Sequence, residues 1–230
     1  FLMNSSESGL RAKEIFTTLC ETSTGVTTDI KKVAEVIKKY NAEIHSQSAI
    51  EGSIELRKEY GFFVNEIKKI EIDIFDVDYN IIGGGVEGNK YNVKTKEEAD
   101  HSLQYMVAVA LIDVNVMPEQ YKPFRILKND IQTLIKKVIV RASKKYSSFF
   151  PEYHSCKIKI TLSNGKIFEK EKMEYDGFIT KPTDWNGSVS KFKTLSGSFI
   201  SEKKQDAIID TVYEIEKIKI RKLMNLLAKI

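Results

Sequence analysis

The chain has 230 residues, enough for one large domain or two small ones. It is 42% hydrophobic and 10% aromatic, which supports a packed core and excludes a disordered protein. Its 36 Lys and Arg against 32 Asp and Glu leave a charge of +4, and the lysines are spread along the chain, so nucleic-acid binding is not expected.

Two cysteines, Cys20 and Cys156, exclude a disulfide scaffold and an iron–sulfur cluster held by three or four cysteines of this chain. No apolar run reaches the ~18 residues of a membrane span, so no membrane association is expected. The first residues, Phe1 to Ser6, lack a basic segment followed by a long apolar one, so no signal peptide is expected. A reducing, cytoplasmic compartment is the expectation.

Residues 10–20 place Leu10, Ile15, Phe16 and Leu19 roughly on one face, as an amphipathic helix would. Asp29 is positioned to cap a second helix across 30–39. A polar stretch from Asn41 to Gln47 leads to a third helix around 48–60, with Gly61 as its C-cap. The period then changes. Ile70, Ile72 and Ile74 alternate with Glu71 and Asp73, which predicts a half-buried strand. A glycine-rich loop follows at 82–88. Thr95-Lys96-Glu97-Glu98 is a capping box, predicted to open a strongly apolar helix through Leu103 to Ile112.

Asn129 or Asp130 caps a helix carrying Ile131, Leu134 and Ile135, and Val138 to Val140 reads as the start of a strand. Two alternating runs, 157–162 and 166–169, flank Ser163-Asn164-Gly165, a strong hairpin signal. Residues 172–183 read as a loop, and Asp184 as the start of a short helix to about Leu195. The tail from 201 to 230 is helical by spacing, with Ile208, Val212, Ile215, Leu223, Leu226 and Leu227 on its apolar positions. These elements predict an α+β protein: a small mixed sheet with helices, flanked by helical segments.

Gly83, Gly85 and Gly88 match G-x-G-x-x-G. A dinucleotide site needs that loop to enter a helix directly, and here the next helix begins near Lys96. A loop beside a site is the better reading. The chain has three histidines, His45, His101 and His154. Their surroundings lack the ligand spacing of a zinc site, so no metal is expected. His154, next to the hairpin, reads as a solvated residue. Asp100-His101-Ser102 lies in the first turns of the apolar helix, which would put His101 and Tyr105 on one face and Asp100 and Gln104 on the next. Such polar groups are costly to bury unless each finds a partner or a ligand. His45, Ser46 and Gln47 fall at a helix N-terminus, where free N–H groups favour a carboxylate, or where Ser46 simply caps the helix.

These two polar islands carry a resemblance. Residues 89–111, NKYNVKTKEEADHSLQYMVAVAL, resemble the signature D-K-W-x-P-x-T-R-E-T-A-D-H-S-L-P-Y of the MmgE/PrpD family. Residues 42–51, AEIHSQSAIE, resemble its motif A-E-x-H-[SG]-Q-[ST]-A-[VI]-E, and the form with Ser46 is most similar to 2-methylcitrate dehydratase. Residues 177–192 resemble the family's G-x4-P-x2-W-x5-K-F stretch. The sequence departs from the pattern at Asn89, at Gln104 and at Val114, where the family carries Asp, Pro and Gly.

The resemblance implies a lid domain of α+β type over 40–196. Residues 1–39 would be the remnant of a large all-helical domain, to which 199–230 return. Family members are much longer on the N-terminal side, so most of that domain would be absent here. It also implies a cofactor-free lyase acting on a polycarboxylate, usually as a homodimer. Dehydration of 2-methylcitrate, in the methylcitrate cycle of propionate catabolism, is the first expectation. Decarboxylation of cis-aconitate, epimerisation, or an inactive lid fragment are the alternatives. Such a dehydration needs a base, an acid and groups that offset carboxylate charge without metal. The resemblance assigns catalysis to His101, His45, Lys90 and Asp100, and substrate binding to Tyr105, Ser102, Gln47 and Ser46.

Overall fold

The computed structural model describes residues 38–228. The helix expected at 10–20, and residues 30–37 of the second, lie outside them; Lys38 and Lys39, the last two residues of that second helix, are not helical. The described residues divide into two units, 38–176 and 177–228.

In the first unit, a single turn at Ile44–Ser46 leads into helix α1, Gln47–Tyr60. Gly61 ends α1 in the left-handed region (φ 61°), and its N–H donates to the Arg57 carbonyl at 3.1 Å. Strand β1, Ile67–Ile74, extends the predicted alternation backwards, with an irregularity between Ile67 and Lys69. Strand β2 is Val138–Ala142, β3 is Cys156–Leu162 and β4 is Ile167–Lys172. They form one mixed sheet in the order β2-β1-β3-β4. β1 runs parallel to β2, with Ile72 opposite Val140, and antiparallel to β3, with Ile72 opposite Ile158. The hairpin predicted around Asn164-Gly165 joins β3 to β4.

The parallel pair requires a crossover, and residues 75–137 supply it. They contain short helices α2 (Asp76–Asp78) and α3 (Lys96–Asp100), the apolar α4 (Leu103–Asp113), α5 (Pro123–Ile126) and α6 (Asn129–Ile135). A further short helix, α7 (Lys144–Ser147), follows β2. α1 and α4 pack on each other; α1 also packs on β3 and β4, and α4 on β2. They cover the isoleucine face of the sheet. A Cβ on Gly52 would come within 2.4 Å of the Ile158 side chain, so glycine lets α1 approach the sheet closely. The opposite face carries ion pairs, Glu71 with Lys69 (2.8 Å) and Arg141 (2.9 Å), and Glu169 with Lys157 (2.9 Å). One covered and one polar face is the expected form of a largely antiparallel sheet.

A buried carboxylate closes the unit. Glu51 of α1 is 1% exposed and takes Lys39 at 2.9 Å and Lys172 at 2.8 Å. Lys39 also bonds Asp176 at 2.7 Å, so the two ends of the unit are clasped together. A buried acid left alone would be costly; here two ammonium groups offset it.

The capping box at Thr95 and Glu98 forms as predicted, but it opens only α3. The single helix expected from there to Ile112 is broken at His101-Ser102. Ser102 starts α4 anew: its hydroxyl accepts from the Tyr105 N–H at 3.1 Å and donates to the Lys90 carbonyl at 2.6 Å. Serine competes in this way with the helix backbone. His101 and Tyr105 therefore do not share a helix face, and neither do Asp100 and Gln104. α4 ends at Val114, which holds φ 55°. This is the position where the resembled pattern has glycine, and a β-branched residue there is strained.

In the second unit, Asp184 caps α8 (Trp185–Ser196) by accepting from the Gly187 N–H at 2.7 Å. Helices α9 (Glu202–Tyr213) and α10 (Ile220–Leu227) follow. Ile208, Val212 and Leu223 form their common core, with Trp185 and Phe192 packed against it.

Candidate functional site

The centre of the site is the turn before α1. Glu43 accepts from the backbone N–H of His45 at 2.8 Å through one oxygen. Its other oxygen lies 2.7 Å from His45 Nδ1. Burial pushes the Glu43 carboxyl up, but its bonds to His45 and the nearby Lys38 charge outweigh that and leave it below its ordinary value. An ionised Glu43 fixes the proton on Nδ1 and turns the lone pair of the neutral ring onto Nε2.

The His45 ring is packed among aromatics. It lies 5.1 Å from the His154 ring, 5.6 Å from Phe75 and 6.2 Å from Phe150, centre to centre. His154 is 8% exposed, not solvated as its place beside the hairpin suggested. Its carbonyl accepts from the Ser48 hydroxyl, which ties the segment before β3 to α1. Burial, and then the neighbouring His45, lower the His154 pKa from 6.5 to about 4, so this ring is neutral at pH 7. Asp78 lies fully buried close by, and its Oδ1 has no hydrogen-bond partner. Burial, and then the Glu43 charge, raise its carboxyl well above the usual range.

The second island is built differently. Asp100 ends α3 and is half-buried; burial raises its carboxyl above the ordinary value, with Glu43 adding to this and His101 and Lys38 opposing it. His101 is exposed, its Nδ1 3.2 Å from the Glu97 carbonyl oxygen. Lys90, in the loop before α3, reaches Glu87 at 3.3 Å.

The four residues predicted to bind substrate have polar groups engaged within the chain. The Gln47 amide accepts from the Tyr40 N–H (3.2 Å) and donates to the Ala42 carbonyl (3.1 Å). The Ser46 hydroxyl donates to the Glu43 carbonyl at 2.7 Å rather than capping α1. Ser102 caps α4. Tyr105 is fully buried, and its hydroxyl donates to the Gln120 carbonyl. These groups hold the turn and the start of α4 in place.

Reading the sequence missed three residues. Glu43 had a signal, since it stands two residues before His45 in the same motif. His154 and Asp78 had none, because long-range packing alone brings them here. Among the described residues, no group of three His, Cys, Asp or Glu side chains could hold a metal ion, and no helix is long and apolar enough to cross a membrane.

Comparison with known proteins matches residues 40–217 to the MmgE/PrpD C-terminal domain. The chain belongs to the MmgE/PrpD family. Cis-aconitate decarboxylase of Mus musculus is 23% identical over 168 residues, 73% of this chain and 33% of that protein. Its counterpart in Homo sapiens is 23% identical over 163 residues, 71% of this chain and 32% of that protein. The chain thus spans about a third of the length of these curated MmgE/PrpD relatives. Both islands lie inside the matched region, with the α+β unit and most of the helices that follow it.

Proposed function

We propose that this chain is the lid part of a cofactor-free lyase that acts on a polycarboxylate, with dehydration of 2-methylcitrate as the reaction. The observation that carries the reading is the Glu43–His45 pair: a carboxylate on Nδ1 presents Nε2 as a base in an aromatic-walled setting. In this reading His45 takes the proton from the carbon next to a carboxylate. His101, with Asp100 beside it, gives a proton to the departing hydroxide, which leaves as water. The C–H and C–O bonds break and a C=C bond forms. Lys90 offsets substrate carboxylate charge. Ser46, Gln47, Ser102 and Tyr105 act by holding the two islands rather than by touching substrate.

Residues 1–39 and 199–230 are assigned to a helical domain and 40–196 to the lid, in a homodimer. A second reading, decarboxylation of cis-aconitate, is favoured by the names of the two relatives. Ultraviolet absorbance separates them. A rise with 2-methylcitrate, from a new conjugated double bond, supports dehydration. A fall with cis-aconitate alone supports decarboxylation. No change with either contradicts catalysis by this chain on its own.

A further inference from the structure

His154 stands just before β3, at the end of the sheet, within a buried group of rings. Its ring lies 5.4 Å from Phe75, 5.6 Å from Phe150 and 6.3 Å from Tyr175, besides the 5.1 Å to His45. Phe75 and Phe150 stack on each other at 4.9 Å and 14°. The backbone of His154 is tied as well. Its carbonyl accepts from the hydroxyl of Ser48, which lies on α1 three residues beyond His45. Ring and backbone of His154 are thus both fixed to the elements that surround His45.

The Glu43 carboxylate holds His45 Nδ1 at 2.7 Å, which fixes one atom of the ring but not its plane. The torsion that sets the plane of a histidine ring is soft, and a carboxylate accepts over a broad range of angles. The plane decides where Nε2 points. Of the three rings against His45, His154 is the nearest and the closest to parallel, at 5.1 Å and 32°. Phe75 meets it edge-on at 5.6 Å and 65°, and Phe150 lies at 6.2 Å and 51°. Tilted, offset rings at such distances attract each other in a definite orientation. A neutral His154 also adds no repulsion when His45 takes up a proton.

We infer that His154 is a positioning residue: its ring, packed against that of His45, sets the plane of the His45 imidazole and so aims Nε2. This rests on the reading of His45 as the base. His154 touches no reacting atom and acts only through His45.

The test compares the full chain with His154→Leu, which keeps bulk but removes the ring, and with His154→Phe, which keeps a flat ring. Nuclear Overhauser contacts between ring protons report the plane of His45. In the wild-type chain they are expected between His45 and His154. In His154→Leu the contacts of His45 with Phe75 and Phe150 are expected to change, and kcat to fall about tenfold with KM held, the scale of one aromatic contact. His154→Phe is expected to restore the ring contacts and most of kcat. A purely structural role predicts lower stability with the His45 ring contacts unaltered. Unaltered contacts in a folded His154→Leu would overturn the inference, as would a kcat equally low in both folded variants. If His154→Leu does not fold, the other two chains decide: no contact between the two rings in the wild type, or a His45 ring turned in His154→Phe, would overturn it. The ring contacts need no turnover, so an inactive wild-type chain whose contacts respond as expected would sink only the proposed reaction.

Discussion

The two histidine islands of this chain are built in opposite ways. His45 is fixed by a carboxylate on Nδ1, walled by Phe75, Phe150 and His154, and seated where α1 begins. His101 stands exposed in the break between α3 and α4, and only its neighbour Asp100 is partly withdrawn from water. The difference teaches where preorganisation resides in this molecule. The His45 side is held by its own partners, whereas His101 is exposed at the surface.

The strongest way to break this contrast is to loosen the His45 side at its anchor. Glu51→Gln leaves Lys172 and Lys39 without their buried carboxylate and is expected to cost about 3 kcal/mol, the low end for a broken buried pair because Lys39 is partly exposed. Urea denaturation reads it directly.

His154 offers a pH test of the same region. Its folded pKa, about 4, lies below the ordinary 6.5, so the unfolded chain binds the extra proton between these values. The contribution is therefore fully present above pH 6.5 and lost as pH falls towards 4, roughly 3 kcal/mol in all. His154→Phe is expected to flatten this slope in a series of thermal melts. An unchanged slope would mean that His154 is not held neutral.

A smaller effect sharpens the comparison at the chemistry itself. Glu43→Gln keeps the shape of the turn but removes a charged hydrogen bond from His45, and turnover is expected to fall about ten- to hundredfold. The smallest effect belongs to the other island: His101→Ala is expected to change stability by less than about 0.5 kcal/mol, since an exposed ring has little to lose. A large loss of stability there would erase the contrast.

Local pattern made much of the architecture legible. The alternation of Ile70, Ile72 and Ile74 marked β1, Asn164-Gly165 marked the hairpin, and Gly61 and Asp184 marked helix ends. All of these depend on neighbours a few residues away. The break at His101-Ser102 was hidden because it depends on the Lys90 carbonyl, 12 residues upstream. The parallel pairing of β1 with β2 depends on a crossover that periodicity does not encode. For the site, the motifs pointed to His45 and to Asp100-His101, but not to their partners. Asp78 stands in unremarkable surroundings, and His154 lies in a polar stretch that reads as surface until Phe75, Phe150 and Tyr175 fold over it. Ser46, Gln47, Ser102 and Tyr105 stand in the same motifs, and only the fold shows that their polar groups bond within the chain.

The central proposal is that His45 takes the proton from a carbon next to a carboxylate while His101 protonates the departing hydroxide. The most direct test is deuterium transfer between heavy water and that carbon of 2-methylcitrate or of the cis-aconitate product, followed by nuclear magnetic resonance. The account predicts transfer with the wild-type chain, reduced about 10²–10⁴-fold in His45→Ala and in His101→Ala, with the fold retained in the latter. Transfer at the wild-type rate in both variants would contradict it.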